Sequence, residues 1–257
     1  ITLKARPGNP APRIAEAPGG MLNAVGLQNP GVDHFIREDL PWLRGQGTRI
    51  IANIAGNTPE DYCAMAEKLN DTDVDMIELN ISCPNVKQGG VQFGTTCAGV
   101  SGITKAVRAH CKKPLMVKLS PNVTDISEMA LAAESEGADA VSMINTLTGM
   151  RIDIRTRRPI IHNNTGGFSG PALLPIAVRM VWQTYQKVKI PIVGLGGIST
   201  WQDAVEMLLA GATALQIGTV LFTDPYAPVK IAEGLSKFMD ENGVQSVSEL
   251  TGAVQAW

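Results

Sequence analysis

From residue 48 onward the chain repeats one pattern six times: a short apolar, β-branched run followed by an amphipathic stretch of helical period. The runs fall at 49–55, 76–81, 115–119, 140–145, 192–195 and 214–217. The helical stretches fall at about 58–69, 97–111, 125–137, 172–187, 201–210 and 226–239. Helix-start signals stand where they are needed, in Thr58-Pro59-Glu60, Thr124-Asp125 and Thr200-Trp201-Gln202-Asp203, and Gly137 and Gly211 suit helix ends. The runs are apolar on both faces, so each strand is buried between layers. That requires a parallel sheet covered by helices, an α/β fold. A closed TIM (β/α)8 barrel takes eight such units and six are visible, so an open doubly wound sheet satisfies the same pattern.

The first 47 residues read differently. Arg6-Pro7-Gly8-Asn9-Pro10 and Ala17-Pro18-Gly19-Gly20 predict turns and loops, with one short helix over about 31–44. Between Asn145 and Gly170 runs a long excursion in which 151–154 and 159–162 pair as a small hairpin. Excursions of that length beyond a strand end are usually functional. No further repeat or linker divides the chain, which reads as one domain over 1–257. Ile1 in place of Met, together with the two absent units, leads to the expectation of a barrel incomplete at its N-terminus.

Charge removes several function classes. Twenty-two basic against twenty-four acidic residues give a net charge of -2, with no basic cluster for nucleic acid or an anionic membrane. No apolar run reaches membrane-spanning length, and no signal-peptide pattern opens the chain. Cys63, Cys83, Cys97 and Cys111 form no CxxC pair. His34, His110 and His162 do not join them at metal-ligand spacing. Reduced thiols in a cytoplasmic protein without a metal site are the expectation.

In parallel α/β folds chemistry gathers where strands end. Two late strands end in glycines, Gly196-Gly197 and Gly218-Thr219, and Gly166-Gly167-Phe168-Ser169-Gly170 precedes another helix. Such loops let backbone N–H groups approach a phosphate. Earlier strands end in amides, at Asn53, Asn80 and Asn145-Thr146, which suit a planar heterocycle bearing carbonyl and N–H groups. Lys118 ends another strand, and a lysine inside an apolar sheet needs a negative partner. Glu78 lies within a strand, with no carboxylate or histidine at a strand tip.

The motifs in sequence carry a resemblance. Asn80-Ile81-Ser82-Cys83-Pro84-Asn85, followed by Val86-Lys87-Gln88-Gly89-Gly90, is similar to the active-site loop of class 1 dihydroorotate dehydrogenases. Asn23-Ala24-Val25-Gly26-Leu27-Gln28-Asn29-Pro30-Gly31 resembles their substrate loop. Lys118-Leu119-Ser120-Pro121-Asn122, Ile144-Asn145-Thr146 and the glycine groups follow in that family's order, with wording nearest the class 1B branch. The resemblance implies a TIM barrel that binds FMN and oxidises dihydroorotate to orotate in pyrimidine (UMP) biosynthesis. It implies Cys83 as base and Lys118 beside the flavin. Asn53, Asn80, Ile144, Gly170, Gly196, Gly197, Gly218 and Thr219 complete the implied cofactor site. Asn23, Ala24, Val25, Gly26, Leu27, Asn80, Asn145 and Thr146 form the implied substrate site. It further implies a homodimer joined to a second subunit that carries FAD and an iron–sulfur cluster and passes electrons to NAD. The chain departs from that family at its start: the Ser-Gly-x-Phe-Gly-like loop and a flavin-contacting lysine have no counterpart, and Lys4 does not replace the latter. A non-catalytic barrel subunit and another phosphate-binding barrel enzyme are the rival readings.

Overall fold

The structure, a computed structural model, describes residues 1–82, 93–255 and 257. Its strands in chain order are β1 (Ile14–Ala17), β2 (Gly20–Asn23), β3 (Ile51–Ile54), β4 (Met76–Asn80), β5 (Leu115–Lys118), β6 (Ala140–Met143), β7 (Leu147–Gly149), β8 (Ile152–Asp153), β9 (Arg158–Pro159), β10 (Gly166–Ser169), β11 (Ile192–Leu195) and β12 (Ala214–Gln216). Every one of the six apolar runs is a strand, and each is followed by a helix at the expected place. These helices are Pro59–Asn70, Cys97–His110, Ile126–Ser135, Leu174–Tyr185, Trp201–Leu209 and Ala227–Asn242.

Two observations decide between the barrel and the open sheet. The six strands lie in the spatial order β12-β11-β6-β5-β4-β3, so each new strand adds to the same side, all parallel. A doubly wound sheet reverses direction at a switch point, and this one does not. Gln216 on β12 also donates from Nε2 to Glu78 Oε1 on β4 at 2.7 Å, although three strands lie between them. A flat sheet would hold those strands roughly 19 Å apart, at about 4.8 Å per step. The sheet therefore curls on itself as a TIM-type barrel wall.

The packing follows from the sequence pattern. Ile77, Leu79, Leu115, Val117, Val141 and Met143 on the strands are fully buried. So are Met65, Leu69, Val107, Ala133 and Val181 on the helices, in one continuous core. Thr58, Thr96, Asp125 and Thr200 cap four helix starts, and Thr200 and Asp203 close a reciprocal capping box.

The N-terminal segment corrects the sequence reading. Residues 14–23, expected as loops, form an antiparallel hairpin, β1 to β2, around Pro18-Gly19. This hairpin joins β10 and β7 in a second, four-stranded antiparallel sheet of order β1-β2-β10-β7. The glycine group at 166–169, read as a loop before a helix, is thus a strand. The small hairpin of the excursion does form, as β8 and β9, though its pairing joins Ile152 to Pro159 and Asp153 to Arg158. The helix expected near 31–44 also forms, with a π-helical turn at Phe35–Asp39 between two short α-helical pieces. Among the described residues no helix is long and apolar enough to cross a membrane.

Candidate functional site

A cavity of about 250 Å³ opens at the C-terminal ends of β5, β6, β11 and β12. Its wall is built from the three glycine-bearing segments. Ser169 ends β10 and Gly170 follows it, Gly196, Gly197, Ile198 and Ser199 follow β11, and Gly218, Thr219 and Val220 follow β12. Backbone shape dictates glycine at two of these places. Gly197 has φ +86°, and a Cβ there would lie 2.5 Å from the backbone nitrogen of Leu174. Gly170 has φ +123°, and its Cβ would meet the Cα of Gly20 at 2.5 Å. At Gly218 a Cβ meets no atom of the other described residues within 4 Å, so their packing does not require a glycine there. The helical turn that starts at Thr219 carries no side-chain cap, which leaves its first N–H groups for another acceptor.

The floor is polar and charged. Lys118, the last residue of β5, lines the cavity with its side chain largely buried. Its ammonium lies 3.5 Å from Glu78 Oε2 and 3.0 Å from Gln216 Oε1. Glu78 is the negative partner that a lysine in this setting requires. The carboxylate is buried and drawn on from four strands: it accepts from Ser142 Oγ at 2.6 Å, from Gln216 Nε2 at 2.7 Å, from Asn53 Nδ2 and from Lys118. Burial alone would push the Glu78 carboxyl up. The Lys118 charge and the three neutral donors outweigh that, and they hold it below its ordinary value. An isolated charge here would be prohibitively costly. The closed set of donors is what makes this one tolerable.

Above the floor lies a chain of amides. Asn80, at the end of β4, donates to Asn53 Oδ1 over a long 3.4 Å, and the hydroxyl of buried Tyr62 fixes the Asn80 carbonyl at 2.9 Å. Asn145 donates to Ser82 Oγ at 2.7 Å and more weakly to Asn80 Oδ1 at 3.4 Å. Its own oxygen accepts from the backbone of Thr146 at 2.8 Å. Asn122 ties this rim down by donating to the Thr146 carbonyl at 3.0 Å.

The sequence-expected residues distribute as follows. Lys118, Ile144, Asn145, Thr146, Gly170, Gly196, Gly197, Gly218 and Thr219 all line the one cavity. Asn53 and Asn80 do not line it but belong to the hydrogen-bonded layer connected to Lys118 and Asn145. Asn23 ends β2 and pairs with Gly167 of β10, and Ala24 is fully buried. The backbone of Val25 and the carbonyl of Ala24 are bound by Asn9, and a Cβ on Gly26 would strike the Asn9 side chain. The segment 24–27, with Leu27 at φ 59°, packs on the 6–13 loop and does not line the cavity. Cys83 lies outside the described residues. Sequence reasoning missed Ser142 and Gln216, and it noted Glu78 without giving it a role. Each is a polar side chain within an otherwise apolar run, and that was the available signal.

A positive charge at the base, amides on one side and glycine loops on the other make a site for a planar ligand with an anionic tail. Comparison with known proteins agrees with this geometry. A family model described as "Dihydroorotate dehydrogenase" matches residues 1–239. The chain is 56% identical over 245 residues to the "Dihydroorotate dehydrogenase B (NAD(+)), catalytic subunit" of Alkaliphilus oremlandii, which covers 95% of this chain and 81% of that relative. It is 55% identical over 255 residues to the protein of the same name from Bacteroides thetaiotaomicron, covering 99% of this chain and 84% of the relative. The corresponding protein of Geotalea uraniireducens is 56% identical over the same length and coverage. The chain belongs to the dihydroorotate dehydrogenase family, a family of oxidoreductases.

Proposed function

We propose that this chain oxidises dihydroorotate to orotate in pyrimidine biosynthesis, as the catalytic subunit of an NAD-linked, cytoplasmic enzyme. The observation that carries the reading is Lys118: a paired ammonium at the floor of a cavity whose wall is three glycine-bearing segments. The donor set fits FMN. Gly170, Gly196, Gly197, Gly218 and Thr219 would hold its phosphate through backbone N–H groups, and Ile144 would pack on its apolar part. When bound, FMN supplies the two-electron acceptor of the reaction.

The residues of this chain supply the rest. Lys118 provides positive charge where negative charge develops, fixed in advance by Glu78 and Gln216 so that little reorganisation is needed. Asn80, Asn145 and Thr146 offer the donors and acceptors that orient a ring bearing carbonyl, N–H and carboxylate groups. The segment Asn23, Ala24, Val25, Gly26 and Leu27, packed on the 6–13 loop, would support the substrate site from outside the cavity lining, and Asn53 and Asn80 would hold the hydrogen-bonded layer connected to Lys118 and Asn145. Cys83 takes the proton that leaves the substrate carbon; a thiol does this well only when its pKa suits the working pH. A homodimer joined to a partner subunit bearing FAD and an iron–sulfur cluster would carry the electrons onward to NAD. The relatives' name "catalytic subunit" supports such a partner.

The test is direct. The chain loaded with FMN is mixed with dihydroorotate without oxygen, and the flavin absorbance near its yellow maximum is followed. Bleaching is expected. Bound flavin that stays yellow in excess dihydroorotate would overturn the reading.

A further inference from the structure

The buried carboxylate of Glu78 is not part of the cavity lining, yet it bonds to side chains from four strands, Asn53, Lys118, Ser142 and Gln216. Packing does not explain a charge at this place. An apolar side chain of similar volume would fill the same space without the cost of desolvating two ions. The arrangement also shares Lys118 between two acceptors of different charge: anionic Glu78 at 3.5 Å, behind the cavity wall, and neutral Gln216 at 3.0 Å, on that wall. Gln216 at the same time donates to Glu78, so the three side chains form a closed triangle.

We propose that Glu78 is a positioning residue that aims the Lys118 ammonium and offsets part of its charge, and so sets the reduction potential of a flavin held in the cavity that Lys118 lines. The proposal rests on the FMN reading given under Proposed function. A full, uncompensated positive charge beside the ring would stabilise the added negative charge strongly and hold the electrons. A charge partly offset from behind keeps the flavin easy to reduce by substrate and still able to pass electrons on. Ser142 and Asn53 bind the remaining carboxylate lone pairs, so the counter-charge cannot swing away.

Two variants of the FMN-loaded full chain separate this from a structural role. Glu78→Gln removes the charge with little change of shape. The exchange Glu78→Gln with Gln216→Glu keeps the same side-chain types and net charge but moves the carboxylate onto the cavity wall. The midpoint potential is measured against reference dyes without oxygen, and FMN affinity by quenching of its fluorescence. Glu78→Gln is expected to shift the reduction equilibrium at least about tenfold toward the reduced flavin, about 30 mV more positive for two electrons. The exchange variant is expected at or below the wild-type potential. A general disturbance of the triangle would move both variants the same way. Shifts of the same sign, or no shift in Glu78→Gln, overturn the proposal. Should Glu78→Gln fail to fold, an exchange variant with a potential above wild type overturns it alone. A wild-type chain that binds no FMN defeats the functional reading instead, so the two failures are distinct.

Discussion

Lys118 shows at the scale of one residue how much the sequence could announce. A lysine ending an apolar strand demanded a negative partner, and Glu78 supplies it. Which carboxylate it would be was not legible, because Glu78 stands on the neighbouring strand to one side and Gln216 stands three strands away to the other. Curl, not sequence distance, brings them together. Removing the lysine strands the carboxylate: Lys118→Met should lower stability by about 3–5 kcal/mol, the usual cost of breaking a buried pair from one side. Urea unfolding checks this, and a loss within 0.5 kcal/mol, about the range of a surface substitution, would mean water already solvates Glu78. At Gly197 the geometry is equally strict. Gly197→Ala must hold a non-glycine residue at φ +86° against the Leu174 backbone. A loss of about 1–3 kcal/mol is expected, together with weakened FMN binding by equilibrium dialysis. Cys83→Ala should abolish dihydroorotate turnover while leaving the bound flavin's absorbance in place. Near-normal turnover would remove Cys83 from the base role.

At the scale of elements, long periodic segments were legible and short ones were not. Ile192–Leu195 appears at its expected bounds, and the other five parallel strands are each trimmed by one to three residues at their ends. Parallel strands buried on both faces announce themselves as continuous apolar runs. The missed strands β1, β2, β7 and β10 are three or four residues long and rich in glycine and small residues. They hold their place by pairing with one another across the chain, a tertiary effect that no local window contains. Helix starts were better signalled. Asp125 caps the Ile126–Ser135 helix, bonded to Ser127 and Lys187, and these hold its carboxyl down at about 2. A carboxyl lowered in the folded state stabilises above its ordinary value of 3.8 and ceases to do so as pH falls toward 2. Asp125→Ala should therefore cost about 1 kcal/mol at pH 7, typical of a lost cap. The difference from wild type should narrow below about pH 4 in denaturant titrations, and a constant gap down to pH 3 would assign the cost elsewhere.

Taken whole, the molecule is a curled parallel wall with a second, antiparallel sheet at its mouth, and the proposed cofactor cavity lies at the wall's C-terminal edge, bounded by Ser169 and Gly170 of the second sheet's last segment. FMN at a hundred times its dissociation constant should stabilise the fold by about 2.7 kcal/mol. For a chain of this size that is roughly 5–10 °C in thermal unfolding. Riboflavin, which lacks the phosphate, should give a clearly smaller shift. Equal shifts would take the phosphate out of the glycine cradle. The mouth sheet has a consequence for how the protein is made. Its hairpin leaves the ribosome before the parallel wall is made, and β10, the strand it pairs with through Asn23 and Gly167, is synthesised only after β3 to β9. At elongation speeds of about 5–20 residues per second, the nascent hairpin waits on the order of ten seconds with one edge unmatched. Whatever shields that edge during translation therefore bears directly on how much of the newly made chain reaches its finished form.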